Sequence, residues 1–82
     1  MRIDLFLKKV LIFKHREIAK EMCEKGLVMI NGKLAKASKD VGEGDFFQIE
    51  TGAGVQRYRV LKIPEGNVRH NEVSLFYERI EE

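Results

Sequence analysis

Apolar residues at Ile3, Phe6, Leu7 and Val10 fall at i, i+3, i+4 and i+7, the spacing of a helix with one buried face. A first helix is predicted over residues 1–10, with Asp4 in its first turn, where a negative charge complements the helix N-terminus. Arg2, Lys8 and Lys9 fall on its polar side. The run Val10-Leu11-Ile12-Phe13 breaks the pattern, ends the helix and turns the chain inward. A second helix is predicted over residues 14–25, with Ile18, Ala19, Met22 and Cys23 as its apolar stripe. Arg16 and Lys20 are spaced i, i+4 and project from one side; Glu21 supports Lys25 in the same way. Gly26 suits the end of this helix, because it enters a left-handed conformation without a side-chain penalty.

Beyond Gly26 the period changes. Residues 27–30 are strand-forming, Asn31-Gly32 is a hairpin-turn signal, and Leu34 and Ala35 return as a short strand. Val41 is expected to anchor the core before the turn Gly42-Glu43-Gly44-Asp45. Residues 46–50 form a strand in which Phe47 and Ile49 alternate with Gln48 and Glu50, and Gly52-Ala53-Gly54 turns the chain again. Residues 55–63 are predicted as a longer strand whose period shifts: Tyr58 and Val60 share one face, Leu61 and Ile63 the other, through a bulge or a sharp twist. Pro64-Glu65-Gly66-Asn67 closes this unit. Val73, Leu75, Phe76, Tyr77 and Ile80 then mark a strand or short helical segment that folds back, with Glu81 and Glu82 fraying. The expected fold is α+β: two N-terminal helices packed on a small, twisted, mainly antiparallel sheet. Residues 1–63 make the main unit and residues 64–82 a C-terminal extension packed on it.

Eighty-two residues make one domain. A chain of this size buries only about 60% of its unfolded surface, which favours binding on an open face over an enclosed active site. No cofactor is expected. One cysteine excludes an internal disulfide and suits a reducing compartment. Cys23 lies on an apolar stripe and reads as packing, and its spacing from His15 and His70 matches no metal motif. Charges interrupt the apolar N-terminus before it reaches the roughly 18 residues that a membrane helix needs. A cytoplasmic protein, monomeric when free, is the expectation.

The net charge of +2 hides an asymmetry. Residues 1–39 hold ten Lys or Arg against four Asp or Glu, whereas residues 64–82 hold two against five. The first cluster can attract a polyanion. Arg57 and Arg59 flank Tyr58, which suggests base stacking beside phosphate contacts; a solvated strand face with Tyr58 turned to the core is the favoured reading.

The order Arg2-Ile3-Asp4 with Phe6-Leu7, then Arg16-x-x-Ala19, then Gly26-x-Val28-x-Ile30-Asn31-Gly32 continues through Lys36, Ser38, Val41 and Gly44-Asp45. Over residues 1–50 the chain thereby resembles the S4 domain, the αL-motif RNA-binding module. In length it resembles the stand-alone bacterial S4 factors of ribosome-associated quality control, related to heat-shock-type ribosome-recycling proteins. The resemblance implies binding and positioning without catalysis. The implied partners are rRNA of the large ribosomal subunit, tRNA or peptidyl-tRNA, and a quality-control protein on the same subunit. It places Arg2, Lys8, Lys14, His15, Arg16 and Lys20 on a helical RNA face. Asn31, Lys33, Lys36, Ser38 and Lys39 line the adjoining hairpin and loop. Asn31 serves first as a turn residue, and Asp4 orients the basic groups around it.

The residue types suit that role. Arg holds a phosphate through two parallel hydrogen bonds, Lys supplies a mobile charge, and structured RNA is read through shape, phosphate and 2′-hydroxyl contacts. Leu11 and His15 depart from the family's more basic pattern, and Phe13 is bulky for its position, so the face is expected to be less charged or differently aimed. S4 modules also accompany pseudouridine synthases, tRNA synthetases and RNA methyltransferases, whose catalytic domains this chain has no room for. Large-subunit assembly, recycling, an adaptor for a separate RNA-modifying enzyme, and a protein-interaction module built on Phe76, Tyr77 and Ile80 are the alternatives.

Overall fold

The computed structural model describes residues 1–80; Glu81 and Glu82, expected to fray, lie outside the described residues. Two helices, α1 (Ile3–Lys9) and α2 (Arg16–Glu24), precede strands β1 (Val28–Ile30), β2 (Lys33–Leu34), β3 (Phe46–Thr51) and β4 (Gly54–Val60). A 3-10 helix (His70–Leu75) and strand β5 (Tyr77–Ile80) follow. All pairings are antiparallel, in the order β2-β1-β3-β4-β5. The expected α+β architecture is present, and the C-terminal segment supplies both a helical turn and a strand. β5 completes the sheet against β4, so the sheet crosses the 63/64 division drawn from the sequence.

Both helices are shorter than their apolar patterns suggested, and both end in the same hydrogen-bond motif. At α2, Gly26 (φ 74°) donates to the Cys23 carbonyl and Leu27 to the Met22 carbonyl, each at 3.0 Å. At α1, Leu11 (φ 65°) donates to the Lys8 carbonyl at 3.0 Å and Ile12 to the Leu7 carbonyl at 3.1 Å. This paired arrangement satisfies the last helical carbonyls but needs a left-handed residue, for which glycine is favoured. Leu11 holds that position at a steric cost.

The core lies between the helices and the inner sheet face. Ile3, Phe6 and Leu7 of α1, and Val10 just after it, meet Val28, Ile30, Phe47, Ile49 and Val60, with Ala19 and Cys23 of α2 alongside. Val41 is buried as expected, whereas Ile18, assigned to the α2 stripe, is 41% exposed. An aromatic chain crosses the core. Phe6 meets Phe47 edge-on with centroids 5.8 Å apart, Phe47 stacks on Tyr58 at 5.0 Å, and Tyr58 meets Tyr77 edge-on at 5.4 Å. Phe76 and Tyr77, partly buried, pack against the core.

Asn31 (φ 50°) and Gly32 (φ 82°) form the predicted two-residue hairpin turn between β1 and β2. The period shift expected in β4 is absent: its register against β3 runs unbroken from Phe46 opposite Arg59 to Thr51 opposite Gly54. The strand ends at Val60, and Leu61 leaves it to donate to the Phe76 carbonyl at 2.8 Å. Tyr58 therefore faces inward, and Arg57 and Arg59 share the outer face.

Candidate nucleic-acid interface

The first residues run alongside the loop after β2. Ile3 donates to the Lys39 carbonyl, Val41 to the Met1 carbonyl, both at 2.8 Å, and Arg2 bridges to Asp40. This pairing brings Arg2 next to the lysines of that loop.

Asp4 is the centre of the site. Its carboxylate is 2% exposed and takes four contacts. Arg2 donates through Nε to Oδ1 at 3.2 Å and through Nη2 to Oδ2 at 3.1 Å. Arg16 Nε lies 3.3 Å from Oδ2, and the Leu5 backbone N–H donates to Oδ1 at 2.7 Å. A buried carboxylate is sustained only by such charged and hydrogen-bonding partners. Here the partners are two arginines, Arg2 in the extended segment just before α1 and Arg16 at the start of α2, each 45% exposed. A guanidinium carries five N–H donors, so both retain donors for a second anion after binding Asp4.

From this clamp a basic surface runs across the molecule as three adjoining grooves. The first is lined by Arg2, Asp4, Arg16, Glu17 and Lys20. The second shares Arg2 and Lys20 with it and continues between Gly26 and the segment Leu34 to Ser38. The third shares Leu34, Ala35, Lys36 and Ser38 and reaches Asn31, Lys33 and Lys39. Of the residues assigned to RNA binding from the sequence, Arg2, Arg16, Lys20, Asn31, Lys33, Lys36, Ser38 and Lys39 line this surface. Lys8, Lys14 and His15 are exposed but line none of its grooves; they sit at the end of α1 and in the connection to α2.

Local pairing further edits the charge. Lys25 Nζ lies 2.9 Å from Glu21, the predicted i, i+4 pair, and this hydrogen bond and charge hold the Glu21 carboxyl below its usual range. Asn31 spends its carboxamide on structure: Oδ1 accepts the Phe46 N–H at 3.0 Å and Nδ2 donates to Asp45 Oδ1 at 3.3 Å. Asp45 Oδ2 in turn accepts the Gly42 N–H at 2.8 Å, so the hairpin is latched to the Gly-Glu-Gly-Asp turn. Arg59 lies 4.7 Å above the Phe46 ring and 3.7 Å from Glu78, on the outer sheet face away from the grooves.

Sequence reasoning missed Leu34 as a surface feature. It is 71% exposed where the second and third grooves meet. Its register position opposite Met29, rather than opposite inward-facing Ile30, was the available signal. Among the described residues, no three His, Cys, Asp or Glu side chains come together as a metal site, and no helix is long and apolar enough to cross a membrane.

Two short helices against an antiparallel sheet, with an Arg-Asp-Arg clamp at the edge of a basic surface, define an S4-type module. The S4 domain profile matches residues 1–47, and the chain belongs to the S4 domain family. More particularly, it is similar to the RQC P-site tRNA stabilizing factor of Helicobacter pylori, with 42% identity over 77 residues, 93% of this chain and 92% of that protein. Among solved structures it is similar to the hypothetical protein HP1423, with 38% identity, a TM-score of 0.86, and 100% and 99% of the two chains covered. It is also similar to Vibrio cholerae heat shock protein 15, described as trimeric, with 29% identity and a TM-score of 0.89 over 98% of this chain and 81% of that one.

Proposed function

We propose that this protein is a non-catalytic RNA-binding factor of the cytoplasm that docks on the large ribosomal subunit and stabilises tRNA there while a stalled nascent chain is resolved. The observation that carries this reading is the Asp4 clamp, which presents Arg2 and Arg16 together at the end of a surface continued by Lys20, Lys36, Ser38, Lys33 and Lys39. Fixed guanidinium groups suit phosphate, and the flanking lysines extend the attraction along an RNA backbone. The name borne by the Helicobacter pylori relative supports tRNA as the partner, and likeness over nearly the whole of both chains supports a shared role. Lys8, Lys14 and His15 belong to an outer ring that contacts RNA only where it curves past the interhelix connection.

The test is co-sedimentation of wild type and Arg16→Ala with separated subunits from a lysate containing stalled ribosomes. Enrichment on large subunits that carry peptidyl-tRNA, lost with Arg16→Ala, is the expected result. Equal binding to empty large subunits would replace this reading with assembly or recycling.

A further inference from the structure

Within the RNA-binding reading, on which this inference rests, one residue does not fit phosphate chemistry. Leu34 is 71% exposed, the most exposed of the large apolar residues, yet it stands in the middle of the basic surface. It leans toward Gly26, with Cδ2 3.8 Å from where a Cβ on that glycine would sit, and forms the ridge between two grooves. Lys36 and Ser38 line both grooves, Lys20 lies on one side, and Lys33 and Lys39 on the other. Phosphates held by those cations would pass on each side of an apolar side chain that neither pairs with nor repels them.

We infer that Leu34 is a wedge for one unstacked nucleotide, and that this surface recognises RNA at a bulge or helix junction in preference to an uninterrupted duplex. Aliphatic side chains lodge against base steps elsewhere in nucleic-acid recognition, and RNA bases are readable chiefly where they are splayed out. Ala35, beside Leu34 in both grooves, is itself only 6% exposed, so Leu34 is the apolar group that a base would meet. A second protein as occupant is disfavoured by the lysines on both flanks, which match a polyanion.

The experiment measures binding of the purified protein to two RNA hairpins that differ by one unpaired nucleotide, with 2-aminopurine at the bulge reporting unstacking. Wild type is expected to prefer the bulged hairpin about tenfold, a gain in keeping with burial of one leucine side chain. Leu34→Ala should bind the two hairpins equally, with salt dependence and circular dichroism retained. Leu34→Lys should tighten binding to the plain duplex without restoring the preference. Equal wild-type affinity for both hairpins, or a preference that survives in Leu34→Ala, would overturn the wedge while leaving RNA binding intact. Binding to neither RNA would overturn both readings together.

Discussion

Asp4 Oδ2 lies 3.3 Å from Arg16 Nε, joining a buried carboxylate on α1 to a half-exposed guanidinium on α2. The same oxygen is 3.1 Å from Arg2 Nη2, so one acidic side chain fixes both arginines of the proposed interface. Asp4→Asn keeps the shape and removes the charge. It should cost on the order of 1–3 kcal/mol in urea denaturation, the scale of a lost buried charged hydrogen bond. Binding to large subunits should fall with it even though both arginines remain. Retained affinity in a folded Asp4→Asn variant would show that the clamp is dispensable.

Arg16→Ala leaves the bidentate contact between Arg2 and Asp4 in place. Its effect on folding should stay within about 1 kcal/mol, as for other partly exposed pairs. RNA affinity should drop, and the slope of log affinity against log salt should shrink by about one phosphate contact. An unchanged slope in a salt titration would remove Arg16 from the interface.

Burial, followed by the negative charges of Asp4 and Glu24, pushes the Cys23 thiol from 9.0 up to about 11. Below pH 9 the thiol is protonated in both folded and unfolded chains, and its contribution to stability is fully present. Between pH 9 and 11 the unfolded chain loses its proton first, so stability should decline by on the order of 2 kcal/mol. Tyr77, whose hydroxyl is also pushed up by burial and by Tyr58, adds to the loss at higher pH. Subtracting the stability profile of Cys23→Ala isolates the cysteine; parallel profiles would contradict its raised pKa. Alkylation of the native protein at pH 8 should likewise be slow until urea unfolds it.

The matched helix ends offer an internal control. Leu11→Gly should stabilise the fold by about 0.5–1 kcal/mol, because a left-handed position no longer carries a Cβ. Gly26→Ala should destabilise by a similar amount for the opposite reason. Thermal melts of the two variants should move in opposite directions.

Asn31 tests the latch. Asn31→Ala removes the contacts to Phe46 and Asp45 at a left-handed position and should cost about 1–2 kcal/mol. Asn31→Asp sets a second carboxylate against Asp45, with 3.3 Å separating the present partners, and should cost more at low salt than at high salt. A salt-independent loss would point to the turn conformation alone.

Local chemistry made much of the fold readable. The Asn31-Gly32 turn, the Gly26 helix end and the α1 stripe each depend on residues within one or two turns of chain. Leu11 was opaque because nothing in Val10-Leu11-Ile12-Phe13 advertises a left-handed residue; packing of Val10 and the chain beyond it imposes the turn. The end of β4 was misplaced because Leu61 and Ile63 extend an apolar run, whereas the departure of the strand depends on Leu61 meeting the distant Phe76 carbonyl. For the site, the basic residue types were visible, but whether they share a surface was decided by packing. The approach of α1 to α2 brings Arg16 to Asp4, and pairing of the N-terminus with the 37–41 segment brings Arg2 to Lys36. The same packing leaves Lys14 and His15 outside the grooves.

β5 is the outermost strand on its side of the sheet, and its sequence is Tyr-Glu-Arg-Ile. Exposed strands invite edge-to-edge assembly, and a two-fold axis through such an edge must set some residue opposite its own copy for the pleats to agree. Centred on the strand, that residue is Glu78 or Arg79, and either choice places like charges face to face. The opposite edge, β2, is two residues long. Symmetry thus turns an ordinary alternation of charge into a barrier against two copies pairing through this edge.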